Sequence, residues 1–100
     1  MPALRFYYSD TIEDFLRKPT NEIVGNLALA HAHDINQKTS MSWVEEIDIL
    51  KSALSNFSGR GSVYFEYNIP RMGRRADVVA LIDGIVLVME FKTSEQEFTR

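Results

Sequence analysis

Asp77, Glu90 and Lys92 are the residues whose types and spacing could carry chemistry in this chain. Asp83-Gly84 sits between two apolar runs, the strongest short-range signal of a β-hairpin. A two-residue loop there fixes the register: Ile82 faces Ile85, and each step away from the loop pairs the next residues outward. Asp77 then faces Glu90, and Arg75 faces Lys92. Glu90 and Lys92 are two apart, so both project from one face of the strand. Two carboxylates directly opposite each other repel by at least a few tenths of a kcal/mol, about 0.2 or more, and require a counter-ion. A hard divalent cation held through carboxylate oxygens, with an ammonium beside its bound water, is one solution. A surface ion-pair network in which Arg75 and Lys92 neutralise the acids is the other, and the residues themselves leave both open.

These residues need a hairpin and a scaffold behind it. The last strand runs from about Ile85 to Phe91, and its Ile85-Val86-Leu87-Val88-Met89 stretch is apolar on both faces, as in a strand covered by layers above and below. Glu90 marks the point where that strand emerges. The preceding strand spans roughly Arg75 to Ile82, after a loop at Pro70-Arg71-Met72-Gly73-Arg74. Before it, Val63, Tyr64, Phe65, Tyr67 and Ile69 form a first strand of β-branched and aromatic residues. Residues 1–58 read instead as helix. Asp10 with Glu13 resembles a cap on a short helix carrying Ile12, Phe15 and Leu16, stopped by Pro19. Thr20 is the expected N-cap of a second helix through Ile23, Val24, Leu27 and Ala30. Ser42 with Glu45 opens a third, whose Trp43, Ile47, Leu50 and Leu54 recur at helical spacing. Thr93 or Ser94 caps a last helix, which the chain leaves at Arg100. The expectation is one α+β domain over residues 1–100: a helical part at 1–58, a three-stranded, mainly antiparallel sheet at 62–92, and the start of a helix at 94–100.

Composition narrows the functional classes. At 100 residues the chain fits one core, and with 45% apolar and 25% charged residues it resembles a globular domain. Cysteine is absent, which excludes disulfides, thiolate metal sites and a catalytic thiol. No apolar run is long enough to span a bilayer and the N-terminus lacks the features of a signal peptide, so the expectation is a cytoplasmic protein with no membrane partner. The net charge of −3 provides no global attraction for nucleic acid, so any such binding needs a local basic cluster. Arg60, Arg71, Arg74 and Arg75 supply one, with Glu66 the one acid among residues 60–75. Arg71 and Arg74 on the loop beside the acids are suited to charge-assisted bonds with phosphate.

Asp77, twelve residues, then Glu90-Phe91-Lys92, carried by a hairpin after a helix and a strand, resembles the PD-(D/E)xK nuclease superfamily. More specifically, Tyr7-Tyr8-Ser9-Asp10, Gly59-Arg60-Gly61-Ser62, Arg71-Met72-Gly73-Arg74-Arg75 and Val88-Met89-Glu90-Phe91-Lys92 are similar to the N-terminal region of bacterial proteins that join such a module to a Schlafen-like DNA/RNA helicase region. The resemblance implies a restriction-endonuclease-like core of helix, three strands, helix and strand with Mg²⁺ or Mn²⁺ at the open end of the sheet. It assigns Asp77 and Glu90 as metal-binding acids, aided by a backbone carbonyl near Phe91, and Lys92 as the residue that positions the attacking water. It also implies a helix glutamate. Helical angle favours Glu46, at the edge of the apolar stripe, over Glu45, well off it. This chain ends before the second helix and fourth strand of that core, which is expected to leave apolar sheet surface open to self-association.

The functional expectation is therefore a Mg²⁺-dependent nuclease domain acting on nucleic acid, DNA rather than RNA, with Arg60, Arg71, Arg74 and Arg75 on the phosphates. Its partners would be a C-terminal helicase region or a second copy. The rival is a non-catalytic module that binds nucleic acid or pairs with a full-length nuclease–helicase. Glu66, between Phe65 and Tyr67, is an additional ligand candidate. His31 and His33 point about 200° apart on a helix and cannot share an ion through one face.

Overall fold

The computed structural model describes residues 5–31, 40–70 and 73–91. Its sheet has four antiparallel strands in the order β1-β2-β3-β4: β1 Tyr8–Thr11, β2 Gly61–Ile69, β3 Arg74–Ile82 and β4 Ile85–Met89. Three helices, α1 Ile12–Arg17, α2 Thr20–His31 and α3 Ser40–Ala53, lie between β1 and β2 in the chain. The architecture is mixed α+β, as expected, with one strand more than the three read from residues 62–92. The extra strand has only four residues, two of them polar and one charged, and offers no hydrophobic alternation. Its place comes from pairing Tyr8 with Phe65 and Thr11 with Ser62 across the far edge of β2.

The Asp83-Gly84 loop forms as its composition demands. Asp83 has φ 52° and Gly84 φ 82°, the two positive values of a type I′ turn, and Ile82 pairs with Ile85. Pairing then proceeds without slippage to Val78 opposite Met89.

The helices cover one face of the sheet. Ile12 and Phe15 of α1, Ile23 and Leu27 of α2, and Trp43, Ile47 and Leu50 of α3 bury themselves against Val63, Phe65, Val78, Ala80 and Ile82. Each large side chain so buried contributes about 1.5–3 kcal/mol from apolar area alone. The stripe expected on α3 is therefore the one that packs. No helix among the described residues is long and apolar enough to cross a membrane.

Four local expectations need correction. Thr11, not Asp10, caps α1: its hydroxyl accepts from the Asp14 amide, three residues on, the geometry of an N-cap. Asp10 belongs to β1, where its carboxylate accepts from Tyr8 Oη at 2.6 Å and pairs with Lys18 Nζ at 2.8 Å. Thr20 is the first residue of α2 rather than its cap, with the Pro19 carbonyl accepting from Glu22 and Ile23, and α3 starts at Ser40, ahead of Ser42. The largest correction concerns β4. Among the described residues it is the last strand of the sheet, and Ile85, Val86, Leu87 and Val88 are 61%, 59%, 41% and 54% exposed. Two apolar faces indicated a covered strand, but among the described residues only Met89 packs against the core, and the four residues before it stay exposed. The helix expected at 94–100 lies outside the described residues.

Candidate functional site

Each acid of the proposed centre is placed by a different element. The β3–β4 ladder ends at Val78 and Met89, one residue short of Asp77 and Glu90, and one further step of the same register would set the two acids opposite each other. On the other side of β3, Phe65 pairs with Val78 and Tyr67 with Ala76, which leaves Glu66 and Asp77 between two paired positions. Continued through these positions, the two ladders would line up the backbones of Glu66, Asp77 and Glu90 in one row, with about 4.8 Å between neighbouring strands, but neither pair is part of the ladders themselves and φ 56° at Glu66 interrupts its own.

The row is not uniform in exposure or in what it touches. Asp77 is half-buried, and its Oδ2 accepts the Phe91 amide at 2.7 Å, which brings the Phe91 main chain to the carboxylate. Glu90 is exposed and pairs with Arg74 at 3.1 Å. Both partners are about half exposed, so solvent screens the pair and its contribution is small, on the order of 0–1 kcal/mol. Glu66 is 6% exposed and has φ 56°. That left-handed backbone interrupts the alternation of β2: Phe65 and Glu66, consecutive in the chain, both bury on the helix side. Trp43 Nε1 donates to Glu66 Oε2 at 3.3 Å.

Glu46 is 2% exposed and Glu45 is exposed, which is the distinction drawn from helical angle. Glu46 lies three residues from Trp43 on the same face of α3, about one helical turn from the residue that bonds Glu66. A fully buried glutamate among Trp43, Ile47 and Leu50 is expensive for a helix to keep unless it has a task or a counter-charge. Among the described residues, no group of three or more His, Asp or Glu side chains is gathered to hold one ion.

The arginines divide between the two ends of the sheet. Arg74 and Arg75 stand beside the acid row, where with Asn68 and Gly73 they line a small polar hollow of about 190 Å³. The Arg75 guanidinium lies 4.7 Å from the centre of the Tyr7 ring. Arg60 does not join them. Its Nε donates to Asp83 Oδ1 at 3.2 Å, its Nη2 meets Asp83 Oδ2, and it stacks 5.2 Å from the Phe57 ring centre. The hydrogen bond from Arg60 holds the Asp83 carboxyl below its ordinary range and pushes the guanidinium pKa up. Because Gly61 pairs with Ile82, Arg60 lies at the turn end, five residues or about 17 Å along β3 from Asp77. Grouping Arg60 with the loop arginines by sequence proximity is therefore corrected: β2 runs its full length between them. Arg71 and Lys92 lie outside the described residues.

Two features were not anticipated from sequence. The Trp43–Glu66 bond had no signal beyond a lone glutamate between aromatics. The Tyr8–Asp10–Lys18 cluster depended on β1, which sequence periodicity did not reveal. In that cluster burial pushes the Asp10 carboxyl up, but hydrogen bonds from Lys18, Tyr8 and the Thr11 amide outweigh it and leave it below its ordinary value.

The donor chemistry at the acid row fits a small divalent cation. Asp77 and Glu90 offer hard carboxylate oxygens, and Mg²⁺ is commonly bound by one or two carboxylates together with water and substrate phosphate. Comparisons with protein-family models, with curated proteins and with solved structures find no match to this chain.

Proposed function

We propose that this chain is a metal-dependent nuclease domain of the PD-(D/E)xK type, hydrolysing phosphodiester bonds in nucleic acid, as the N-terminal part of a nuclease–helicase protein. The observation that supports it is the register of the β3–β4 hairpin, paired as far as Val78 and Met89, whose next step would set Asp77 against Glu90 at the end of the sheet where Arg74 and Arg75 also lie. A pure binding surface has no use for opposed acids among arginines.

In this reading Asp77 and Glu90 would hold Mg²⁺ or Mn²⁺, with the Phe91 main chain alongside, while Glu46, the helix acid of the family pattern, is not gathered with them among the described residues. The bound ion supplies a water of lowered pKa and electrostatic relief for the reacting phosphate. Lys92 would offset charge developing on the phosphoryl oxygens. Arg74, which pairs with Glu90 in this structure, and Arg75 would hold the flanking phosphates.

A second reading has its own support. The Arg74–Glu90 pair and the Phe91 amide on Asp77 already neutralise much of the row, as in a module that binds nucleic acid or a partner without cleaving. Incubating the full chain with single- and double-stranded DNA and RNA, in Mn²⁺, Mg²⁺ or Ca²⁺, separates the two. Cleavage in Mn²⁺ or Mg²⁺ that is lost in Asp77→Asn supports the nuclease. Metal-independent binding with no cleavage of any substrate supports the module.

A further inference from the structure

We propose that β4 is a self-association edge, at which two copies of this chain join their sheets through an antiparallel β4–β4 pair about a twofold axis at Leu87. The inference is independent of the nuclease reading. A two-residue hairpin closes on Ile82 and Ile85 exchanging both backbone bonds, so alternation points the N–H and C=O groups of 85, 87 and 89 toward β3. Those of Val86 and Val88 point to the open edge.

Among the described residues this edge lacks the devices that keep edges apart. Ile85–Met89 contains no charge, no proline and no bulge, and four of its five residues are 41–61% exposed. Both flanks are apolar as well. On the outer face a groove of about 430 Å³ runs past Tyr64, Val79, Leu81, Val86 and Val88. On the helix side a hollow of about 380 Å³ is lined by Leu54, Phe57, Ile85, Leu87 and Met89. An added strand that covers both must be uncharged and apolar on both faces over about five residues. Among the described strands β4 itself meets that requirement, while the opposite edge strand, Tyr8-Ser9-Asp10-Thr11, does not.

Charge and register select the alignment. A parallel in-register pair would set Glu90 against Glu90 of the second copy. The antiparallel pair centred on Leu87 sets Val86 against Val88 and Ile85 against Met89, and places Glu90 beside Gly84, so no acid directly faces an acid. All five residues are then paired, and the outward groups of Val86 and Val88 bond each other in both directions. A twofold axis makes the contact closed and self-complementary, ending at two copies.

Light scattering and sedimentation of the full chain across a wide concentration range test this. The expected result is a reversible monomer–dimer equilibrium whose dissociation constant rises at least about tenfold in Val86→Lys and in Val88→Lys. Both side chains are more than half exposed, so the variants should keep the parental circular dichroism. The alignment is tested by cross-linking in a chain that has no cysteine. Leu87→Cys should oxidise to a covalent dimer, because a non-hydrogen-bonded pair holds its Cα atoms about 4.5 Å apart. Ile85→Cys, about 13 Å from its counterpart, should not. A monomer at every concentration, open-ended growth beyond two copies, or equal cross-linking at both positions overturns the proposal.

Discussion

Trp43 on α3 donates its indole N–H to Glu66 Oε2 on β2 at 3.3 Å, across the interface between helix and sheet. The bond ties the helix that carries Glu46 to the strand beside Asp77. Removing the donor while keeping the ring, in Trp43→Phe, should destabilise the fold by about 1–3 kcal/mol, because a buried carboxylate loses a donor. Glu66→Gln keeps an oxygen acceptor and should be milder. Urea denaturation followed by far-UV circular dichroism measures both, and no loss in Trp43→Phe would show that the contact carries no stability.

At the acid row, Asp77→Asn and Glu90→Gln should each abolish metal-dependent cleavage while changing stability by less than about 1 kcal/mol. Asn can still accept the Phe91 amide, and the Glu90–Arg74 pair is half exposed. Loss of more than about 2 kcal/mol in both variants would instead identify a structural ion-pair network.

Lys92 and Arg74 should act at different stages. An arginine holding phosphate binds substrate and transition state alike, so Arg74→Ala should weaken binding and reduce its salt dependence with little change in the chemical step. Lys92→Ala should leave binding within a few-fold and slow single-turnover cleavage by about 100-fold or more, equivalent to about 2.7 kcal/mol. Parental cleavage by Lys92→Ala would remove that lysine from the mechanism.

The Tyr8–Asp10–Lys18 cluster should make stability depend on pH at both extremes. The Asp10 carboxyl is held below its ordinary value, so its contribution is present above the unfolded pKa of about 3.9 and lost as pH falls through the depressed folded value. Burial, then the hydrogen bond and charge of Asp10, push the Tyr8 hydroxyl pKa up. Its contribution is present below the unfolded pKa of about 10 and lost as pH rises beyond it. Thermal melts against pH should show a flatter acid limb in Asp10→Asn and a flatter alkaline limb in Tyr8→Phe. Unchanged limbs would show that other groups govern both.

Two glycines should resist replacement for different reasons. A Cβ on Gly61 would lie 1.7 Å from the Leu81 carbonyl oxygen, a backbone atom that cannot swing aside. Gly61→Ala should therefore destabilise by more than about 2 kcal/mol by prising β2 from β3. Gly84 has open space but φ 82°, so Gly84→Ala should cost only about 1–2 kcal/mol of left-handed strain. Chemical denaturation ranks the two, and equal losses would contradict the packing at Gly61.

Features that depend on neighbours a few residues apart were legible in the sequence. Asp83-Gly84 specified a turn, and the turn specified a register that holds from Ile82–Ile85 to Val78–Met89. The helical angle of α3 separated buried Glu46 from exposed Glu45, because Trp43, Ile47, Leu50 and Leu54 mark the inward face. Features that depend on partners distant in sequence were set by packing between elements. Tyr8 pairs with Phe65 because β2 had an open edge to fill, and no local pattern in Tyr8–Thr11 announces that choice. Arg60 sits at the turn, away from Arg74, because a nine-residue strand separates them. A φ of 56° moves Glu66 to the helix side, against the alternation its neighbours suggest. Hydrophobicity on both faces of β4 is a local property; whether those faces are covered depends on which elements pack there, and that is not encoded within five residues.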